Sequence, residues 1–472
     1  MSGGGDYADG HGLFRFVSAL SALLPGVMPV MTMKPELRTA PHPPVISHAR
    51  RLRAALGIAS NDLPVSDMRS AQALWADSGA MALTGTGGGL PLHSPAPLAA
   101  CMLGVWQVLA GVSNGVLDPG FAAHRLLGER AAIAGLRRNG TVSAGGGCRL
   151  LAARDAMLAL NMAREDDWRL LPAWLETPVD DWDSVAECVA GRESSVLLER
   201  ARLLGLAAAV MAPAPERVGP WFHLEARSER RTAVPGGAPL VLDLGSLWAA
   251  PLCTSVLGMM GARVIRVESE QRLDGARYGP AAFFDLLNAG KESVVLDLRL
   301  ESGRRSLRRL LECADIVVES ARPRALEQMG IRAAELVRRT PGRTWIAITG
   351  YGRRAPMRDW IAYGDDAGVA AGLSDLLRRA SGQTVFCGDA IADPLTGLHA
   401  ALLAWLAWRN GSGGLFDVSL HAVAAHAAAL HATVDWHADE GHAAVSPVAR
   451  AVRARAVPAG VDTARVLREL LR

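Results

Sequence analysis

The stretch from Pro239 to Ser269, PLVLDLGSLWAAPLCTSVLGMMGARVIRVES, decides the fold. Residues 239–244 form a short apolar run closed by Gly245, the pattern of a strand buried on both faces. Residues 253–260 then predict a helix stopped by Gly261, and 263–268 a second strand. Further along, the rhythm repeats as strand 293–298, helix 302–313, strand 315–319, helix 332–339 and strand 344–349. Strands joined by helices of this length imply an α/β fold: a parallel sheet with flanking helices. Ligands on such sheets bind beyond the carboxyl ends of the strands, where Asp243, Glu268 and Gly350 fall. The turn Gly245-Ser246-Leu247-Trp248-Ala249-Ala250 lacks the glycines of a dinucleotide fingerprint, which argues against a nicotinamide dehydrogenase.

Toward the N-terminus the pattern changes. Residues 216–237 are charged and contain Gly and Pro, and read as a linker. Residues 144–215 open with Gly145-Gly146-Gly147 and continue with a hairpin-like pair, 149–153 and 156–162, then a helix start at Glu165-Asp166-Asp167; they read as a small α+β domain. Residues 46–143 are Ala/Leu-rich and helical in pattern. Residues 1–45 read as a poorly ordered leader, and 436–472 as a C-terminal tail. The apolar segment 16–33 is broken by Pro25 and Pro29, which speaks against a signal peptide or a membrane span.

A chain of 472 residues exceeds what one core usually supports, so two or more domains are expected. A formal charge of +3 is too small to point to nucleic acid or an anionic membrane. Lysine occurs only at Lys34 and Lys291, and the six cysteines show neither a C-x-x-C pair nor clustering with histidine. No metal site is therefore expected, and a reducing, cytoplasmic setting is.

Six segments in succession resemble the family III CoA-transferases, which include formyl-CoA and carnitine-CoA transferases and α-methylacyl-CoA racemases. They are VLDLGSLWAAPLCTSVLGMMGARVIRVES (241–269), LLNAGKESVVLDL (286–298), ADIVVESARPRALEQMGI (314–331), ITGYGRRAPMRDW (348–360), GDAIADPLTGLHAALLAW (388–405) and GGLFDVSL (413–420). The resemblance implies a Rossmann-like CoA-transferase domain over 238–435. ADSGAMALTG (76–85) and APLAACMLG (96–104) resemble a decayed second copy of the 393 region, with Ala100 where Asp393 would fall. The front of the chain thus reads as a helical, degenerate half-repeat, with the family's small domain ahead of the sheet rather than after it.

What the resemblance implies for chemistry is an Asp393 nucleophile that exchanges CoA between an acyl-CoA and a small carboxylic acid through an aspartyl-CoA thioester. Coenzyme A enters as co-substrate. Asp393 followed by Pro394 also suits a helix N-terminus, and the two readings are compatible, because that position favours an ionised carboxylate. Leu247, Trp248, Ala249, Arg272, Asn288, Lys291, Ser320 and Met329 are the expected CoA contacts. Ser320-Ala321 and Gln328 depart from the family pattern. Gly145 to Gly147 are candidates for binding an oxyanion, with a plain turn as the alternative. Tyr363 stands where the racemases carry a histidine base; an ordinary phenol pKa near 10 suits that role poorly, so transfer is favoured over racemisation. Asp365 and Asp366, close by, are candidates to assist, with a solvated helix start as the favoured reading of both, and His399 reads as a packed or capping histidine rather than a base. Alternatives are an acyl-CoA racemase or isomerase, and a non-catalytic acyl-CoA-binding subunit. A homodimer is implied, with a monomer as the alternative if the front half supplies the partner's surfaces.

Overall fold

The structure, a computed structural model, describes residues 43–58, 67–231, 236–434 and 441–470. The expected leader therefore lies outside the described residues except for its last three positions. Ten strands and eight of the helices position the site. Helices α1 (Pro44–Leu56) and α2 (Leu98–Val112) come first. Strands β1 (Cys148–Ala152), β2 (Met157–Asn161) and β3 (Ala207–Val210) form an antiparallel sheet in that order. Then come β4 (His223–Arg227), β5 (Leu240–Leu244), α3 (Ala249–Met259), β6 (Arg263–Ser269), β7 (Glu292–Leu296), α4 (Glu301–Cys313), β8 (Ile316–Glu319) and β9 (Thr344–Thr349). The chain continues through α5 (Gly364–Ala370), α6 (Ala392–Arg409), β10 (Gly414–Ser419), α7 (Leu420–Ala429) and α8 (Thr463–Leu470).

The large sheet has the order β4-β10-β9-β8-β5-β6-β7, and every neighbour pair in it is parallel except β4 with β10. Counted from β5, its parallel strands run third, second, first, fourth, fifth, sixth, the doubly wound order whose direction reverses between the first and fourth strands. β4 falls inside the stretch read as a linker; His223 to Arg227 pair instead along the edge strand β10.

Alternation along each strand divides the core. Val241, Ile316, Val318, Ile346 and Ile348 face one layer, with α3, α6, α7 and, beyond them, α1 and α2. Leu242, Ile265, Val317, Trp345 and Ala347 face the other, with α4 and the Val466 side of α8. Helix α6 is apolar nearly all round because protein covers it on every side, as expected for a helix that is hydrophobic on all faces. Among the described residues no helix is long and apolar enough to cross a membrane.

Residues 441–470 bind the front of the chain to the far sheet edge. The Val445 N–H donates to the Ala76 carbonyl (2.9 Å). Arg450 grips the buried Glu129 with Nε (2.6 Å) and Nη2 (2.9 Å). The Gly460 N–H reaches Ser293 Oγ (3.0 Å), and α8 packs beside β7.

Candidate active site

The sheet reverses direction at the carboxyl ends of β5 and β8, and the two turns there are joined. The Ser246 N–H donates to Ser320 Oγ (3.0 Å), and the Leu247 N–H to Asp274 Oδ1 (3.0 Å). That second bond helps hold Leu247 at φ 66°, a left-handed conformation uncommon for a branched side chain, with 39% of the residue exposed. Arg272, on the turn after β6, is exposed. Arg322 is partly buried near Arg324, Arg164 and Arg272; burial, then those three like charges, pull its pKa down. A cluster of guanidinium groups around the switch point suits phosphate oxygens.

Asp393 is the second residue of α6 and is partly exposed. Pro394 follows in the first turn, where its missing N–H costs nothing. The backbone N–H groups of Ala249, at the start of α3, and of Gly364, at the start of α5, stand by the carboxylate and favour its charged form. Two glycines make this approach possible. A Cβ on Gly397 would lie 2.5 Å from the Ala249 carbonyl oxygen, so its absence lets α6 close against α3. A Cβ on Gly364 would lie 2.3 Å from both Asp393 Oδ2 and the Ala390 carbonyl oxygen. Burial pushes the Asp393 carboxyl up to about 7, and the Asp365 charge adds to this, against the pull of Arg130 and the two N–H groups.

Other carboxylates and one arginine complete the arrangement. Asp389, fully buried, is gripped by Arg130 through Nε to Oδ2 (2.8 Å) and Nη2 to Oδ1. The Arg130 Cζ lies 5.6 Å from the Trp248 ring centre. Asp365 Oδ1 accepts the Ala390 N–H (2.8 Å), holding Ala390 at φ 42°, and Ser143 stands beside Asp365, lowering its pKa. Burial and the nearby Asp389 raise the Asp365 pKa. Asp366 is buried; its Oδ1 accepts from Asn161 Nδ2 (3.0 Å) and the Tyr363 N–H (2.9 Å), and burial raises its carboxyl to about 7. Asp366 does not belong to a solvated helix start, contrary to expectation, whereas Asp365 remains partly exposed. Asp366 is enclosed because the small sheet, through β2, packs on α5.

The structure gathers only some of the expected site residues. Leu247, Ala249, Ser320 and Asp393 meet at the switch point, with Arg272 on the neighbouring turn. Trp248 is buried behind that turn, edge-on to Phe283 (5.3 Å). Met329 packs on the opposite core layer. Asn288 and Lys291 are buried beneath the sheet ends: Lys291 Nζ donates to Asp243 Oδ2 (3.0 Å), Thr254 Oγ1 (2.7 Å), Asn288 Oδ1 (3.1 Å) and the Pro251 carbonyl (3.0 Å). With its ammonium so occupied, Lys291 meets a ligand only through those neighbours. Gly145 lies against Arg130, placing the glycine run beside the carboxylates. His399 is buried, with Nδ1 2.7 Å from the Leu395 carbonyl, as a packed histidine. Burial raises the Tyr363 phenol still further, which removes it further from the work of a neutral-pH base. Ala100, in the front half, is wholly buried in the core.

Arg130, Ser143 and Asp389 were not singled out from the sequence. The partners Arg130 and Asp389 stand 259 residues apart, and no local pattern links them.

Residues 239–457 match the family model described as CoA-transferase family III. The chain is 31% identical over 192 residues to a succinyl-CoA–D-citramalate CoA-transferase of Chloroflexus aurantiacus, covering 38% of this chain and 48% of that one. It is 32% identical over 197 residues to a succinate–glutarate CoA-transferase of Agrobacterium fabrum, covering 38% and 49%. A crystal structure of a CAIB/BAIF family protein from Brucella suis aligns at 30% identity and a TM-score of 0.38, over 41% of this chain and 55% of that one. The chain spans about half the length of the curated relatives it matches.

Proposed function

We propose, from the match of residues 239–457 to the CoA-transferase family III model, that this chain moves CoA between an acyl-CoA thioester and a carboxylic acid through Asp393. The observation that carries the reading is the Asp393 carboxylate, partly exposed beside the switch point and set against Gly364 and the N–H groups that open α3 and α5. A nucleophile needs a fixed direction more than a strong base beside it, and two backbone donors supply that.

In the proposed cycle a carboxylate oxygen of Asp393 attacks the thioester carbonyl and CoA leaves as thiolate, giving a mixed anhydride. The thiolate then attacks the aspartyl carbonyl carbon; the donor acid leaves as carboxylate, and an aspartyl-CoA thioester remains. An acceptor carboxylate runs the two steps in reverse. In the second step, where the thiolate attacks the aspartyl carbonyl carbon, negative charge develops on an Asp393 oxygen, and the neighbouring N–H groups of Ala249 and Gly364 would meet it there. The pantetheine arm would enter over Leu247 and Ser320, with Arg272, Arg322 and Arg324 toward the phosphates. A homodimer is part of the proposal, and light scattering reads it.

The test is to incubate the protein with succinyl-CoA and trap with hydroxylamine. A hydroxamate on the peptide containing Asp393, absent in Asp393→Asn, supports the reading. Loss of α-deuterium from an acyl-CoA without any acceptor acid would move it to the racemase alternative.

A further inference from the structure

Arg130 comes from the helical front of the chain, in the segment Glu129–Ala134, yet it ends among the carboxylates of the switch point. Its Nε and Nη2 are committed to the two oxygens of the buried Asp389. The flank beside Gly145 is kept free of side chain: a Cβ there would stand 3.0 Å from Nη2 and 3.8 Å from Nη1. Three-tenths of the Arg130 side chain remains exposed, and the Trp248 ring lies 5.6 Å from Cζ. The result is a guanidinium fixed on one edge by Asp389, backed by an aromatic ring, and open on another.

The charges around it explain why an open cation is needed. Asp365, Asp389 and Asp393 all face Arg130. An acid substrate arrives as a further anion, and each carboxylate already present repels it in a site of reduced dielectric. We propose that Arg130 receives the carboxylate of the acid substrate on its open edge beside Gly145. The front segment thereby supplies acid recognition to the site. This rests on the transfer reading above. In the step concerned, the Arg130-bound carboxylate oxygen bonds to the Asp393 carbonyl carbon of aspartyl-CoA, and the C–S bond breaks to release CoA thiolate. The thiolate then attacks the acyl carbonyl, and Asp393 leaves as carboxylate. By microscopic reversibility the departing donor acid uses the same cation. A planar guanidinium suits this task because its paired N–H groups match a carboxylate's two oxygens.

The experiment compares wild type, Arg130→Lys and the double variant Arg130→Gln/Asp389→Asn, which keeps a hydrogen-bonding pair without leaving a buried charge alone. With succinyl-CoA as donor and glutarate as acceptor, the double variant is expected to raise KM for glutarate about 10- to 100-fold, the range for losing a charge-assisted hydrogen bond. KM for succinyl-CoA should stay within about threefold, and Arg130→Lys should recover part of the acid affinity. A second readout needs no turnover: glutarate alone should raise the thermal midpoint of wild type and not of the double variant. An Arg130-dependent glutarate shift in a protein that transfers nothing would keep the acid site and remove the transfer reading. An unchanged KM for glutarate, an equal glutarate shift in both proteins, or no shift in either overturns the proposal. A fall in kcat with both KM values unchanged does so too, since it marks a purely positioning role.

Discussion

Asp393 Oδ2 occupies the space beside Gly364 so closely that a methyl group on Gly364 would stand 2.3 Å from it. The contact is made by three chain segments at once: the start of α5, the Ala390 carbonyl and the first turn of α6. The nucleophile's direction is therefore set by backbone, not by another side chain.

Gly364→Ala tests that directly. The added methyl cannot be absorbed by a flexible chain end, because it also meets the Ala390 carbonyl oxygen at 2.3 Å. Transfer activity should fall about 100-fold, the cost of a displacement near 1 Å at a reacting group. Circular dichroism should show the fold retained, and Asp393 peptide trapping should fall in parallel.

Ionisation of Asp393 should set the acid limb of the pH profile. Burial raises its carboxyl to about 7, so the attacking form is lost as pH falls through that value. Asp365→Asn removes a neighbouring negative charge that raises it further, so the limb in kcat/KM should move to lower pH. A limb that moves up, or does not move, shows that another group limits the rate.

Arg322 should act on the CoA end alone. Arg322→Gln is expected to raise KM for acyl-CoA about tenfold, as loss of one charged hydrogen bond does, and to leave kcat near wild type. The difference should shrink in 0.5 M salt, in roughly the way screened charges behave.

Lys291 should matter to stability more than to binding. Lys291→Met leaves Asp243 and Asn288 short of a buried partner, and removing one side of a buried ion pair costs about 3–5 kcal/mol. Urea denaturation should show that loss, while KM for acyl-CoA in the protein that remains folded stays within about twofold.

The alternation of strands and helices was legible because each element carries its own period. The strand expected at 344–349 is β9, Thr344–Thr349, and the helix expected at 302–313 is α4, Glu301–Cys313. The hairpin at 149–162 is β1 with β2. β4 was missed because His223-Leu-Glu-Ala-Arg227 is half polar, and only pairing with β10 makes it a strand. At the site, Asp393 was singled out by the resemblance of its segment IADPLTG, while its Asp-Pro pair read as a helix start, and it stands in the first turn of α6. Arg130 was not: it is one arginine in a chain with 50 basic residues, and its partner Asp389 is remote in sequence. Asp366 reads as a surface helix start until β2 arrives to cover it with Asn161.

The strap formed by residues 441–470 bears on how the molecule is made. Glu129 waits 321 residues for Arg450, and Ser293 waits 167 for Gly460. During synthesis the helical front emerges early, but Arg450, the partner that its buried glutamate has among the described residues, follows 321 residues later. A late fastening then joins the helical front to the far sheet edge, and a nascent protein halted before residue 450 would hold an open, chaperone-dependent front half.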